Sequence, residues 1–256
     1  MTAQSGPVTA GLVIIGDEVL SGRTRDANTQ FIGAGLNDLG IRLSEVRIVA
    51  DDCAAIAEAV NALRGAYDYV FATGGIGPTH DDITAQCVAE AFAVPLVRHG
   101  DAYVRLERHY GKERFNEARQ RMAYMPEGAQ LIDNPVSAAP GFQIENVFVM
   151  AGIPRIMQAM FGSIRHRLVG GAPLLSRTIA TDLGEGTLAP DLSRVQEAFP
   201  DIQIGSYPSM GSGRAGVRIV LRSESRDRLD AGVEAVRAAV AELGGAAEEM
   251  DVSSDP

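Results

Sequence analysis

Apolar residues along this 256-residue chain recur in two rhythms that alternate at regular intervals. Residues 8–15 are almost continuously apolar (Val8, Ala10, Leu12, Val13, Ile14, Ile15), the pattern of a strand buried on both faces. Residues 28–39 place apolar side chains at helical spacing and stop at Gly40, a residue suited to a helix C-terminus. Residues 42–49 alternate apolar and polar, as a half-buried strand does. A helix over 54–63, a strand over 69–72 and a helix over 83–92 continue the series. Strands alternating with helices predict an α/β fold: a mainly parallel sheet built by right-handed crossovers, in three layers.

The middle of the chain reads differently. Residues 101–122 are charged and helical, interrupted near Gly111, and are expected across the edge or carboxyl end of the sheet. Short strands are expected at 130–132, 141–144 and 147–150, and a helix over 154–168 that opens on Pro154. The pattern breaks at Gly170-Gly171-Ala172-Pro173, which places a domain boundary there, 1–170 against 171–256. Beyond it come strand 177–181, helix 188–199, strand 202–206, a loop over 211–216, strand 217–222, helix 226–243 and a last strand near 246–250. That β-α-β-β-α-β order predicts a small ferredoxin-like α+β domain.

Composition then narrows the classes of function. The chain is 46% hydrophobic, enough for a core, yet no run approaches the ~18 apolar residues of a membrane span. The opening residues 1–7 lack the basic and apolar blocks of a signal peptide, so a cytoplasmic location is expected. Cys53 and Cys87, both in predicted helices, are expected as separate reduced core thiols. A net charge of −10 argues against nonspecific binding to nucleic acid or to anionic membranes. The second domain, with eight arginines against fourteen acids, is a poor candidate for nucleic acid despite its fold. A small anionic ligand stays compatible if basic groups or a cation override the field locally. The basic stretch from Arg105 to Arg121 is expected to meet such a ligand or a partner subunit, and a homo-oligomer is expected.

Candidate chemistry lies where predicted strands end. Thr73-Gly74-Gly75-Ile76-Gly77-Pro78-Thr79-His80-Asp81-Asp82 joins a strand to a helix. A glycine-rich turn there bares backbone N–H groups beside the positive end of a helix dipole, a cradle for phosphate. Asp81 and Asp82 would repel that phosphate unless a divalent cation or a proton lies between them. Asp17 and Glu18 follow the first strand, and Asp51 and Asp52 the second. Ligands of open α/β sheets sit outside these carboxyl ends. Asp26, Asn28 and Asp52 also read as helix caps. The rigid loop Asn134-Pro135-Val136-Ser137-Ala138-Ala139-Pro140-Gly141 and the stretch Ala151-Gly152-Ile153-Pro154 are further places where backbone can approach a ligand.

In these residues the chain resembles the molybdenum-cofactor-biosynthesis domain family of MoaB and MogA. Within it, the resemblance is to the branch that includes the amino-terminal modules of the competence/damage-inducible protein CinA and of eukaryotic FAD synthase. The resemblance is carried by Ile15-Gly16-Asp17-Glu18-Val19-Leu20-Ser21-Gly22, by Thr73 to Asp82 with Thr84, and by Asn134-Pro135, Ala139-Pro140-Gly141 and Gly152-Ile153-Pro154. It implies a molybdopterin-binding-like fold and a divalent-metal-dependent pyrophosphatase acting on a nucleotide such as ADP-ribose or FAD. Asp51, Asp81 and Asp82 would be catalytic. Asp17, Glu18 and Asp82 would hold magnesium or a transition metal, with His80 a softer nitrogen ligand. Gly74, Gly75, Gly77, Thr79, Ser137, Pro140, Gly141 and Gly152 would bind the ligand. Molybdopterin adenylylation, or non-catalytic binding of a pterin such as molybdopterin or of a nucleotide, are the alternatives the same resemblance leaves open. Ser137-Ala138-Ala139 and Ala151 stand where CinA proteins usually have Gly-Thr-Ala and Pro, which leaves the substrate open. The sequence ends before the amidase domain of CinA, so nicotinamide mononucleotide deamidation is not expected.

Overall fold

The computed structural model describes residues 7–211 and 214–250. Residues 1–6, most of the stretch read for a targeting signal, and residues 212–213 of the expected loop lie outside the described residues. The chain divides into two compact units between Gly171 and Ala172, one residue from the expected boundary.

In the first unit, β1 (Val8–Ile15), β2 (Ile41–Val49), β3 (Tyr69–Thr73), β6 (Gln130–Ile132), β7 (Gly141–Ile144) and β8 (Val147–Met150) form one sheet in the order β2-β1-β3-β8-β7-β6. The first four strands are mutually parallel; β7 alone runs against them, and β6, antiparallel to β7, closes the edge in the common direction. The sheet is therefore mainly parallel, as expected. Successive side chains of a strand point to opposite faces, and the core divides accordingly. Val13, Ile15, Val70, Ala72, Val147 and Val149 pack on α3 (Cys53–Ala66), α4 (Thr84–Ala91) and α5 (Gly100–Tyr110). Leu12, Ile14, Phe71, Phe148 and Met150 pack on α2 (Asn28–Asn37) and α7 (Pro154–Ile164). These are three layers.

Three elements have no counterpart in the sequence pattern: the single turn α1 (Asp17–Leu20), and the pair β4 (Leu96–Arg98) and β5 (Tyr124–Pro126), which makes a separate two-stranded sheet; the short helix α6 is Glu117–Arg121. The expected helix over 101–122 is thus α5 and α6 separated at Gly111, whose φ of 73° ends the first of them.

The second unit has β9 (Leu175–Thr181), α8 (Glu185–Ala198), β10 (Gln203–Gly211), β11 (Arg214–Ser223), α9 (Arg226–Glu242) and β12 (Ala247–Met250). Its sheet runs β10-β11-β9-β12, antiparallel throughout, which is the ferredoxin-like order. The loop expected over 211–216 is a correction. Pairing continues to Gly211 opposite Arg214, so most of that stretch is strand. The glycine-rich composition reads as loop, but a hairpin partner supplies the hydrogen bonds.

The cysteines are a second correction. Cys53 and Cys87 are paired as a disulfide with Cα atoms 5.0 Å apart, because α3 and α4 lie side by side on one face of the sheet. Packing of helices that follow different strands is not visible in a linear pattern. Among the described residues no helix is long and apolar enough to cross a membrane.

Phe71 is fully buried and stacks on Phe148 at 5.4 Å between centroids, with Phe161 at 5.9 Å. Phe71→Ala is expected to destabilise the first unit by about 3–5 kcal/mol. Urea unfolding would show this as a lower midpoint at unchanged slope, and a loss below 1 kcal/mol would mean that the aromatic cluster does not organise this layer.

Candidate active site at the carboxyl end of the sheet

Strand register decides which loops meet. Ile15 lies beside Val49, Ile14 beside Thr73, and Thr73 beside Met150, so β1, β2, β3 and β8 all end at the same side. β7 starts there too, because it runs antiparallel to β8. The loops carrying Asp17, Asp51, the glycine turn, Ser137 and Gly152 therefore share one end of the sheet.

The turn after β3 is held from several directions. Gly74 has a φ of 117° and its missing side chain would run into the Ile15 carbonyl; Gly75 has a φ of 64° and faces the Thr84 hydroxyl. Thr84 is fully buried, and its hydroxyl donates to the Gly74 carbonyl at 2.9 Å while its N–H donates to Gly75 at 3.0 Å. These glycines are required by packing, so a β-branched side chain at 75 would disrupt the turn before any ligand arrived. The Gly74 N–H donates to the Met150 carbonyl at 3.1 Å, because the β3–β8 ladder extends one residue past the strand. Gly74 is thereby corrected as a phosphate donor. Among the described residues the N–H groups of Gly75, Ile76 and Gly77 meet no protein acceptor.

Asp82 folds back onto this turn. Its Oδ2 accepts from the Thr79 N–H at 2.8 Å and from the Thr79 hydroxyl at 2.5 Å, and a side chain at Gly77 would meet it at 2.6 Å. Asp82 does not cap α4, whose N-cap is Ile83. Arg121, at the end of α6, reaches the same turn from outside: its guanidinium donates to the carbonyls of Pro78 at 2.9 Å and Thr79 at 3.1 Å. The basic stretch is thus tied to the site through Arg121, whereas Arg105 pairs with Asp133. A basic run signals charge but not which of its members turns inward.

The acids do converge. The Asp17 N–H donates to Asp51 Oδ2 at 3.0 Å, which joins the ends of β1 and β2. Partial burial pushes the Asp51 carboxyl above its ordinary value, and the nearby charges of Asp17, Glu18 and Asp81 add to that, against the bond from Asp17. Asp81 moves the other way: the Thr79 side chain, its own backbone N–H and then His80 hold it below the ordinary carboxylate range. The Thr79 hydroxyl has one proton, and the 2.5 Å contact assigns it to Asp82. His80 is almost wholly exposed, 3.9 Å from Asp81. Among the described residues, no three His, Cys, Asp or Glu side chains form a ready metal-binding group. Asp52 is the cap of α3, accepting from the Ala55 N–H at 2.9 Å, and Asp26 accepts from the N–H groups of Asn28 and Thr29.

The loop between β6 and β7 is built around Asn134, whose amide donates to the Ser137 hydroxyl at 2.7 Å and the Ala139 carbonyl at 2.8 Å. Ser137 is therefore engaged in shaping the loop. Pro140 and Gly141 are buried, and a side chain at Gly141 would strike the Val149 carbonyl. Close strand packing, not ligand approach, accounts for that glycine. Gly152 does lie at the site, 3.2 Å from Gly74 at the position a side chain would take, with its carbonyl accepting from Asn28 at 2.8 Å. The Asn28 contact, like that of Arg121, depends on elements far apart in sequence and has no local signal.

Residues 11–169 match the family described as probable molybdopterin binding domain, and residues 173–245 match the FAD synthase middle domain. A protein of Aeropyrum pernix is 34% identical over 260 residues, covering 94% of this chain and 97% of that one. A probable FAD synthase of Caenorhabditis elegans is 30% identical over 255 residues; the match covers 90% of this chain but only 49% of the worm protein, so the chain spans about half its length. The crystal structure of CinA from Thermoplasma acidophilum, a protein of unknown function, is similar at 30% identity and a TM-score of 0.60, covering 63% of this chain and 98% of that one. The chain belongs to the molybdopterin-binding-domain family, in its CinA-like form with FAD-synthase-like relatives, and its second unit is similar to the FAD synthase middle domain.

Proposed function

We propose that the first domain is a divalent-metal-dependent pyrophosphatase acting on a nucleotide such as ADP-ribose or FAD. The observation that carries this reading is geometric: Asp51, joined to the Asp17 N–H, shares one end of the sheet with a turn whose Gly75, Ile76 and Gly77 N–H groups meet no described acceptor. Partial burial, with the charges of Asp17, Glu18 and Asp81 beside it, makes Asp51 more basic than an ordinary carboxylate. Asp51, the more basic, takes the proton of a water as its oxygen attacks phosphorus. The bridging P–O bond breaks, and the leaving phosphate carries away the electron pair. N–H groups of Gly75, Ile76 and Gly77 stabilise the charge that grows on the phosphoryl oxygens. Asp82 keeps the turn in shape through Thr79, and Arg121 braces it from outside.

Asp17 and Glu18, both exposed, with the free oxygen of Asp82, would supply an oxygen-only donor set once drawn together on an ion, since the three are not grouped in the structure. Those oxygens would suit a hard ion, whose charge would lessen the mutual repulsion of the acids that adds to the effect of burial on Asp51. When bound, the ion would neutralise the phosphates and acidify the attacking water. A relative named for making FAD supports a nucleotide ligand. The family match also supports a second reading, binding or adenylylation of molybdopterin at the same turn. Turnover of ADP-ribose, FAD, and ATP with molybdopterin, each with and without magnesium or manganese, separates these readings from one another and from plain binding.

Hydrolysis is expected to fall to background in excess EDTA and to return on adding magnesium; full activity in protein shown metal-free by elemental analysis would remove the metal from the mechanism. Asp51→Asn should lower kcat by roughly 10²–10⁴-fold. In the wild type the acidic limb of kcat/KM should lie above the ordinary carboxylate range, because the base is lost as pH falls through the raised value. The same substitution tests linkage. A carboxyl whose folded value is raised opposes folding at pH 7, and that penalty disappears as pH falls through the raised value toward ~3.9. Asp51→Asn is therefore expected to raise the thermal midpoint by about 1–2 °C at pH 7 and not at about pH 4. A lower midpoint at pH 7 would make Asp51 a structural residue.

A further inference from the structure

A cleft opens next to the acids, between α1, the segment leading into α2, and the ends of β1, β3 and β8. Glu18, Val19, Arg25, Asn28, Gly152 and Pro154 are among its walls, which bound about 330 Å³ of space partly open to solvent. Glu18 belongs both to this cleft and to the charges around Asp51. Gly152 packs on Gly74, so the cleft adjoins the glycine turn.

Asn28 stands out in it. The residue is only 5% exposed, and its Nδ2 donates to the Gly152 carbonyl at 2.8 Å and faces the Thr73 hydroxyl at 3.4 Å. The carbonyl settles how the amide is turned, since the flipped amide would set oxygen against oxygen. Its Oδ1 is buried and accepts no hydrogen bond from any described group. A buried acceptor without a donor is unfavourable, and native structures keep few of them. Around it the walls are largely apolar, with Val19 and Pro154 able to cover a flat ring.

We propose that this cleft receives the nitrogen heterocycle of the ligand, with a ring N–H or exocyclic amino group donating to Asn28 Oδ1 while the phosphates lie at residues 75–77. The placing of phosphate rests on the function proposed above; the ring contact is a separate claim. Adenine, flavin and pterin rings all carry such a donor, and the measurement tells them apart.

Calorimetry on the full chain with magnesium would compare AMP, purine riboside 5′-monophosphate (the same ring without the amino group) and ribose 5-phosphate. AMP is expected to bind roughly three- to ten-fold more tightly than the deaminated analogue, the contribution of one hydrogen bond. Asn28→Ala should erase that preference. Val19→Phe, which fills the cleft without touching the amide, should reduce AMP to the affinity of ribose 5-phosphate and leave ribose 5-phosphate unchanged. The Val19 variant also decides the matter if the Asn28 variant does not fold. Binding of FMN or 6-hydroxymethylpterin in place of AMP, abolished by Val19→Phe, would assign the same cleft to a flavin or a pterin. Equal affinity for all the phosphates in the wild type, or unaltered ring binding in Val19→Phe, would overturn the subsite and leave Asn28 Oδ1 a buried acceptor with no ligand role. Ring selectivity without hydrolysis of ADP-ribose or FAD would sink the pyrophosphatase alone, whereas hydrolysis without ring selectivity would sink the subsite alone.

Discussion

The site depends on a steric constraint at the end of β3. The chain must leave the strand between the ends of β1 and β8, and there is no room for a side chain where it does so. Gly74 passes against the Ile15 carbonyl and Gly75 against the Thr84 hydroxyl, both at positive φ. Thr84 then closes the turn with two hydrogen bonds from inside the protein. With Gly74 and Gly75 so constrained, the N–H groups of Gly75, Ile76 and Gly77 are left without a described acceptor. Backbone that is already ordered loses little entropy when it meets an anion, which is why such turns serve as cradles.

Around this rigid turn the protein gathers like charges, which is unfavourable in a chain already at −10. Asp51 is raised first by its partial burial, and the charges of Asp17, Glu18 and Asp81 add to that. Counterweights are local: the Asp17 N–H on Asp51, the Thr79 N–H and hydroxyl on Asp82, and the Arg121 guanidinium against the carbonyls of the turn. None of these neutralises the cluster. Acids brought together in this way from separate strand ends mark the candidate site more clearly than a scattered set of surface carboxylates would.

The Cys53–Cys87 pair adds a covalent tie between two helices that each follow a loop of the site. Cys53 comes directly after Asp51 and Asp52, and Cys87 lies one turn beyond Thr84. The bond therefore joins, across one face of the sheet, the helices that follow Asp51 and the glycine turn. The second domain keeps its own core, of Ile179, Ile219, Leu221, Val233 and Val236 among others, so the first domain's sheet and loops can be understood without it.

The sequence by itself determined most of the architecture. Buried parallel strands are continuously apolar and amphipathic helices repeat at their own period, so the sheet, its helices and the ferredoxin-like order were legible from local pattern. The glycine turn and the acids at the strand ends were legible for the same reason, since a strand end is a local event. Tertiary structure decided what each of these residues does. Gly74 gives its N–H to β8, Gly141 packs on Val149, Ser137 serves Asn134, and Asp82 bonds to the turn instead of capping a helix. Arg121 and Asn28 enter the site, and Cys53 meets Cys87, through contacts 42 to 124 residues apart for the first two and 34 for the last. A side chain's hydrogen-bond partner is set by which strands lie next to each other and in what register, and neither is written in the periodicity of a single segment.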